Sequence, residues 1–296
     1  MGESLIDIVR GADGSTNEFP GGSAANVAVA LARLDRRVRF ASSWGDDERG
    51  RVLAEWLARD GVDLACDPHA VARTSTAEAT IGSDGKATYE FDLAWRLNPL
   101  ADGPAPAVVH TCSLGAVLSP GADDVVAMLE GLRTEATISY DVNARPAITG
   151  AGPELAGRVE TVAALSDVVK ASDEDLAVLY GDDDPVVGAK RLLALGPAAV
   201  VITRGPDGAT WVTAQQEVDV AAVPVVVADT IAAGDTFCAG LLDALWEHDL
   251  VGASRRDRLH DAPRNVVVDV LAHAARAAAV TVGRPGADPP YRHELD

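Results

Sequence analysis

Near the C-terminal end of the chain, Asp229-Thr230-Ile231-Ala232-Ala233-Gly234-Asp235-Thr236-Phe237 sets an acid directly after a run of small residues. Phe237, Leu241, Ala244 and Leu245 follow at helical spacing, so a helix begins at about Asp235. Side chains as small as Ala232, Ala233 and Gly234 let a ligand approach the backbone closely. The first amides of a helix have no internal partner and carry the positive end of its dipole, which suits a phosphate. Asp235 would stand where that anion sits, an unfavourable place unless the carboxylate acts on something. Two readings stay open on these residues: an anion hole with a catalytic base, or a strand-helix turn with Asp235 as N-cap.

A second constellation lies near the other end. Phe19-Pro20-Gly21-Gly22-Ser23-Ala24-Ala25-Asn26 leads into Val27, Ala30, Leu31 and Leu34 at helical spacing. Paired glycines let backbone amides meet a ligand, and Asn26 can both donate and accept. A tight turn before an ordinary helix is the competing reading. Asp7 sits just past the apolar part of an opening strand, and other polar clusters close later strands: Asp141-Val142-Asn143-Ala144-Arg145, Ser172-Asp173-Glu174-Asp175 and Thr203-Arg204-Gly205. There is no GxxxxGK[ST], no GxGxxG and no GxSxG, so the common nucleotide fingerprints and the esterase elbow are excluded. What remains suits transfer of a phosphoryl group to a hydroxyl. Asp235 would accept the alcohol proton while the 232–234 amides steady the transferring charge.

The elements that must position these groups follow from periodicity. Strands are expected at 39–44, 107–112, 137–142, 167–170 and 199–203, and a β-branched run stops at Asp229. Helices are expected at 48–59, 121–132, 155–165, 173–180, 185–195 and 263–280. This alternation is that of a doubly wound, mainly parallel sheet, in which ligands lie beyond the carboxyl ends of the strands. Residues 73–97 break the pattern. They alternate apolar and polar around Ser83-Asp84-Gly85-Lys86, the mark of a β-hairpin with an Asp-Gly turn and a candidate lid. The expected division is a core of 1–10, 19–72 and 98–296 with a small β lid of 11–18 and 73–97.

Bulk properties narrow the partners. The 296 residues carry 45 acids against 25 bases, a net charge of −20, which argues against nucleic acid and anionic membrane surfaces. A local nest of amides can still bind phosphate. Three scattered cysteines without CxxC give neither a disulfide framework nor a zinc pattern, and point to a reducing cytoplasm. No signal peptide and no bilayer-spanning run is expected. The opening strand begins almost at Met1, as it would if the start site were placed too late.

The two signatures, Gly21 to Asn26 and Asp229 to Phe237, resemble those of ribokinase-type (PfkB-type) sugar kinases, and the resemblance runs over nearly the whole chain. It implies a ribokinase-like fold, with ATP and Mg2+ as cofactors. Asp235 would be the base and Ala232, Ala233 and Gly234 the anion hole. Asp7, Gly21, Gly22 and Asn26 match sugar-binding positions, and Thr203, Gly205 and Gly208 nucleotide-binding ones. The family's metal-linked Asn-x-x-Glu appears as Ser172-Asp173-Glu174-Asp175, leaving Asp175 as its metal residue. Asp229 would contribute to a monovalent-cation site such as one for K+. Gly2 to Asp7, Asp141 to Pro146, Lys170 to Glu174 and Arg284 to Pro290 resemble the fructokinase branch most, although Tyr89-Glu90-Phe91-Asp92 departs from the aromatic-rich lid of that branch. Fructose is therefore the expected substrate. The alternatives are 2-keto-3-deoxygluconate, ribose or another sugar, or a catalytically silent binding protein. Arg96 or Arg145 would meet sugar or phosphate, or else serve as a surface arginine and a loop ion pair. A homodimer through the lid is the expected assembly.

Overall fold

The computed structural model describes residues 1–81, 87–181 and 184–295, so the expected Asp-Gly hairpin turn lies outside the described residues. The N-terminal part runs β1 (Leu5–Arg10), β2 (Thr16–Gly21), α1 (Ser23–Arg33), β3 (Arg39–Phe40), α2 (Glu48–Arg59), β4 (Asp63–Leu64), β5 (Thr76–Ile81) and β6 (Ala87–Asp92). The chain continues through β7 (Val108–Cys112), α3 (Ser113–Val117), α4 (Gly121–Leu132), β8 (Thr137–Asp141), α5 (Pro146–Thr149), α6 (Pro153–Leu165), β9 (Val168–Ser172), α7 (Asp173–Tyr180) and α8 (Pro185–Leu193). It ends with β10 (Ala199–Thr203), β11 (Ala209–Val212), β12 (Glu217–Val220), α9 (Ala233–Glu247), α10 (Arg256–His260) and α11 (Arg264–Val282).

β7 to β10 are parallel neighbours, and β11 and β12 extend that sheet antiparallel. The central strands are apolar on both faces because helices cover both. Val169, Ala171, Val200 and Ile202 pack with α4, α6, α7 and α8. Their neighbours Val168, Ala199 and Val201 pack with Leu241 and Leu245 of α9 and Val267, Val270 and Leu271 of α11. Strand neighbours therefore serve opposite layers, the period of two expected of a doubly covered sheet. By length and composition α11 could cross a bilayer, which the sequence reading had not anticipated. Its Val267, Val270, Leu271, Ala274 and Ala277 are instead buried within the fold.

The second sheet has the order β2-β1-β5-β6, with β1 parallel to β5 and antiparallel to β2. Hydrogen bonding thus places β1 in the lid sheet, whereas the sequence division put 1–10 with the core. Ile6 and Ile8 still reach inward, packing with α1 and α2 residues and Cys112, so β1 belongs to the lid by its backbone and to the core by its side chains. Between β3 and the edge strand β7 is a cavity of about 620 Å3, bordered by Ala28, Phe40, Val108 and Leu242.

Two local expectations differ from the fold. The β-branched run 223–227 is not a strand and pairs with neither edge of the sheet, which ends at β12 on one side and β7 on the other. It crosses the surface with Val226 89% exposed, and is tied down where the Ala228 amide reaches the Val282 carbonyl at 2.9 Å. The strand expected at 39–44 is reduced to Arg39–Phe40.

Candidate active site

Asp235 is the third residue of α9, not its N-cap. That place is taken by Ala232, which has no capping side chain and lies in the left-handed region at φ 59. The turn closes on itself through the Ala233 amide and the Thr230 carbonyl, 3.2 Å, and the helical ladder starts with Thr236 bonding to Ala232 at 2.9 Å. The amides of Gly234 and Asp235 precede that ladder, at the positive end of the helix. Asp235 therefore does not cap α9.

Asp235 is buried, and both of its oxygens are engaged by α1. Ser23 Oγ donates to Oδ1 at 2.6 Å and Asn26 Nδ2 donates to Oδ2 at 2.8 Å. Asn26 Oδ1 is buried without a hydrogen-bond partner among the described residues. The glycine turn therefore delivers its asparagine straight to the carboxylate of α9.

The glycines also meet a packing constraint. A Cβ on Gly21 would stand 2.4 Å from Asp7 Oδ2, and one on Gly22 would stand 2.7 Å from the Glu3 carbonyl, where φ is also 105. Close packing of β2 on β1 thus favours glycine at both positions, most strictly at Gly22, where the neighbour is backbone. Asp7 itself is open to the cleft. Protein walls raise its carboxyl to about 6, with the Arg145 guanidinium pulling the other way. Arg145 donates to the carbonyls of Asn143 and Ala144 in its own loop, while Arg96 is exposed and faces Asp124 at 3.4 Å.

The strand ends are held in register, Thr203 opposite Ser172 and Asp141 opposite Lys170. Gly205 (φ 48) and Gly208 (φ 92) form the turn after β10, where a Cβ on Gly208 would come within 2.1 Å of the Val220 carbonyl. Ser172 and Asp175 form a capping box for α7. Asp175 accepts from the Ser172 amide at 2.8 Å and from the Ala144 amide at 2.7 Å, so both of its oxygens already serve backbone. Asp229 likewise accepts from the Ile231 and Gly286 amides at 3.0 and 2.9 Å, and these hydrogen bonds hold its carboxyl below the usual range. Among the described residues no cluster of three or more His, Cys, Asp or Glu could cage a metal ion.

One pair escaped the sequence reading. Lys170 is buried with its ammonium 3.1 Å from Asp141, and Cys238 donates to the same carboxylate at 3.3 Å. Burial would discharge the lysine, but the Asp141 carboxylate outweighs it and holds the ammonium raised above its ordinary value. Nζ lies 3.2 Å from where a Gly234 Cβ would be, directly against the anion turn. A charged residue at the centre of an apolar strand was the available signal.

A buried carboxylate beside a helix N-terminus, at the carboxyl edge of a parallel sheet, is an arrangement suited to phosphoryl transfer to a hydroxyl. Residues 2–294 match the model described as pfkB family carbohydrate kinase, and the chain belongs to that family of sugar kinases. It is 34% identical over 259 residues to a fructokinase of Klebsiella pneumoniae, covering 84% of each chain. A solved fructokinase from Xylella fastidiosa with bound ATP superposes with a TM-score of 0.84 at 27% identity, over 99% of this chain and 95% of that one. A fructokinase double mutant from Vibrio cholerae O395, bound to fructose, ADP and potassium ion, superposes at 0.73 and 27% identity, over 97% and 92% of the two chains.

The left-handed Ala232 reverses the usual ranking of alanine over glycine in helices. Ala232→Gly relieves about 1 kcal/mol of backbone strain, so stability in urea is expected to stay level or rise. Ala232→Val should lower it by about 1–2 kcal/mol. A clear loss on going to glycine would contradict the assigned backbone.

Proposed function

We propose that the chain transfers the γ-phosphoryl group of ATP to fructose, forming fructose 6-phosphate. The observation that carries the reading is Asp235, buried between Asn26 and the open amides of α9. Its carboxylate takes the proton of the sugar hydroxyl as that oxygen bonds to the γ-phosphorus, and the bond to the ADP oxygen breaks. The Gly234 and Asp235 amides, with Lys170 beneath, face the charge on the transferring group. Asp7 and the free Asn26 oxygen accept hydroxyls of the sugar from the Gly21-Gly22 side. Thr203, Gly205 and Gly208 form the nucleotide side.

When bound, Mg2+ offsets charge on the nucleotide phosphates. The residues fit an ion that arrives with the nucleotide and keeps its waters rather than a protein cage. Asp175, with both oxygens on backbone amides, would reach it through water. Asp229 remains anionic and is our choice for a side-chain contributor to a K+ site. The reading places the enzyme in the cytoplasm, where ATP is at hand and the three free, buried cysteines stay reduced.

The lid, 11–18 and 73–97 with β1, closes over the sugar and limits ATP hydrolysis by water. Phe19, Tyr89 and Phe91 are exposed on it, Tyr89 and Phe91 stacked at 6.2 Å between centroids. We read that patch as the surface through which two copies pair. Sedimentation velocity should show a dimer that Tyr89→Lys weakens, and a monomer at micromolar concentration would end that reading.

A panel of sugars with ATP and magnesium, followed by ADP release, should give turnover with fructose above 2-keto-3-deoxygluconate and ribose. Absence of turnover with every sugar would favour a silent binding protein. Asp235→Asn should lower kcat by roughly 10²-fold or more while the sugar still binds, and full rate in that variant would remove Asp235 as the base. The accepting form of Asp7 is its carboxylate, which is half present at about pH 6, essentially complete near pH 7.5, and lost as pH falls through 6. The fructose KM should accordingly be flat near pH 7.5 and climb below about 6, with Asp7→Asn raising it at all pH values and flattening the profile.

A further inference from the structure

Ser23, within the glycine turn, and Asn143, outside both turns, form an arm behind Asp235. The Ser23 hydroxyl lies 2.6 Å from Asp235 Oδ1, and Asn143 Nδ2 lies 2.9 Å from Ser23 Oγ. Asn143 is anchored by its backbone, its carbonyl accepting from Ser113 Oγ at 3.1 Å. Both Asn143 (φ 38) and Ser113 (φ 50) lie in the left-handed region, where residues with a Cβ persist only when their surroundings hold them.

The direction of the arm is set by chemistry. An ionised carboxylate accepts only, so the single Ser23 proton goes to Asp235. Ser23 must then receive rather than give at Asn143, and the asparagine must present its amide nitrogen. Turned the other way, the amide oxygen would compete with Asp235 for that proton. With its nitrogen turned to Ser23, Asn143 holds the hydroxyl in the orientation that points its proton at Asp235.

We propose that Asn143 is a positioning residue for the base, acting through Ser23 to hold the Asp235 carboxylate in its reactive orientation. Asn26 anchors Oδ2 from the sugar side, while the Ser23 arm anchors Oδ1 from behind. Loss of the arm leaves the carboxylate with one anchor, free to turn from the hydroxyl it must deprotonate. Because the arm lies behind the base, its loss appears in kcat and not in the sugar KM. The inference rests on Asp235 being the base of a sugar kinase.

The test is a double-mutant cycle of steady-state kinetics on the full chain with fructose and ATP-magnesium, with urea midpoints for each variant. Ser23→Ala should lower kcat roughly 10- to 100-fold, the scale of one charge-assisted hydrogen bond, with the fructose KM within about threefold. Asn143→Gly keeps the left-handed backbone and deletes only the amide, and should lower kcat by roughly tenfold at a near-wild-type urea midpoint. In the Ser23→Ala background the Asn143→Gly change should add less than about twofold, because the shared atom is already gone. Full kcat in Ser23→Ala, losses that multiply in the double variant, or an effect confined to KM or to the urea midpoint would each overturn the arm. Absence of wild-type turnover would instead remove the kinase reading itself, so the two failures are distinguishable.

Discussion

The contact between Asp235 and the first turn of α1 is the constraint on which the rest of the site depends. It joins residues more than two hundred positions apart, and the layers of the fold exist to keep them together. Val27 and Ala30 of α1 pack on Cys238 and Ala239 of α9, so the two helices meet as a small apolar seam whose end carries the carboxylate. Neutral donors, one hydroxyl and one amide, orient the acid without neutralising it. A cation in their place would bind Asp235 more tightly and leave it a weaker base. The lysine that is present, Lys170, is kept one layer away on Asp141.

Strain collects around this contact. The described non-glycine residues with left-handed backbone are Asp35, Ser113, Asn143, Ala232 and Asp249. Asp35 and Asp249 follow the ends of α1 and α9, where such a conformation is an ordinary helix stop. Ser113, Asn143 and Ala232 have no such excuse, and each belongs to a segment that touches the base or its supports. Backbone held against its preference is stiff, and stiffness is what a positioned carboxylate and a set of aimed amides require.

Much of this was legible because it is local. Alternating strands and helices, the glycine pair before α1 and the small residues before α9 depend on spacings within a few positions. The unread parts depend on pairing between distant segments. Nothing in residues 223–227 says that the sheet ends at β12, so propensity alone would make a strand of them. The Lys170–Asp141 pair needs the β8–β9 register, and the Asn143–Ser23–Asp235 arm needs three segments at once. Ser172 to Asp175 carries the S-x-x-D form of a capping box, a local signal that α7 realises at its first turn.

The lysine beneath the anion turn has a consequence for how a nucleotide arrives. The molecule carries a net charge of −20, so a polyphosphate approaching from solution meets repulsion over most of the surface. Attraction begins only at short range, at a small well made by the α9 amides, because the Lys170 ammonium beneath them is already matched by Asp141. Screening acts on the shell and hardly on the buried well, because mobile ions act beyond a Debye length of about 8 Å at physiological salt. Added salt therefore eases the encounter without loosening the grip, the reverse of what an enzyme with an exposed cationic funnel would show.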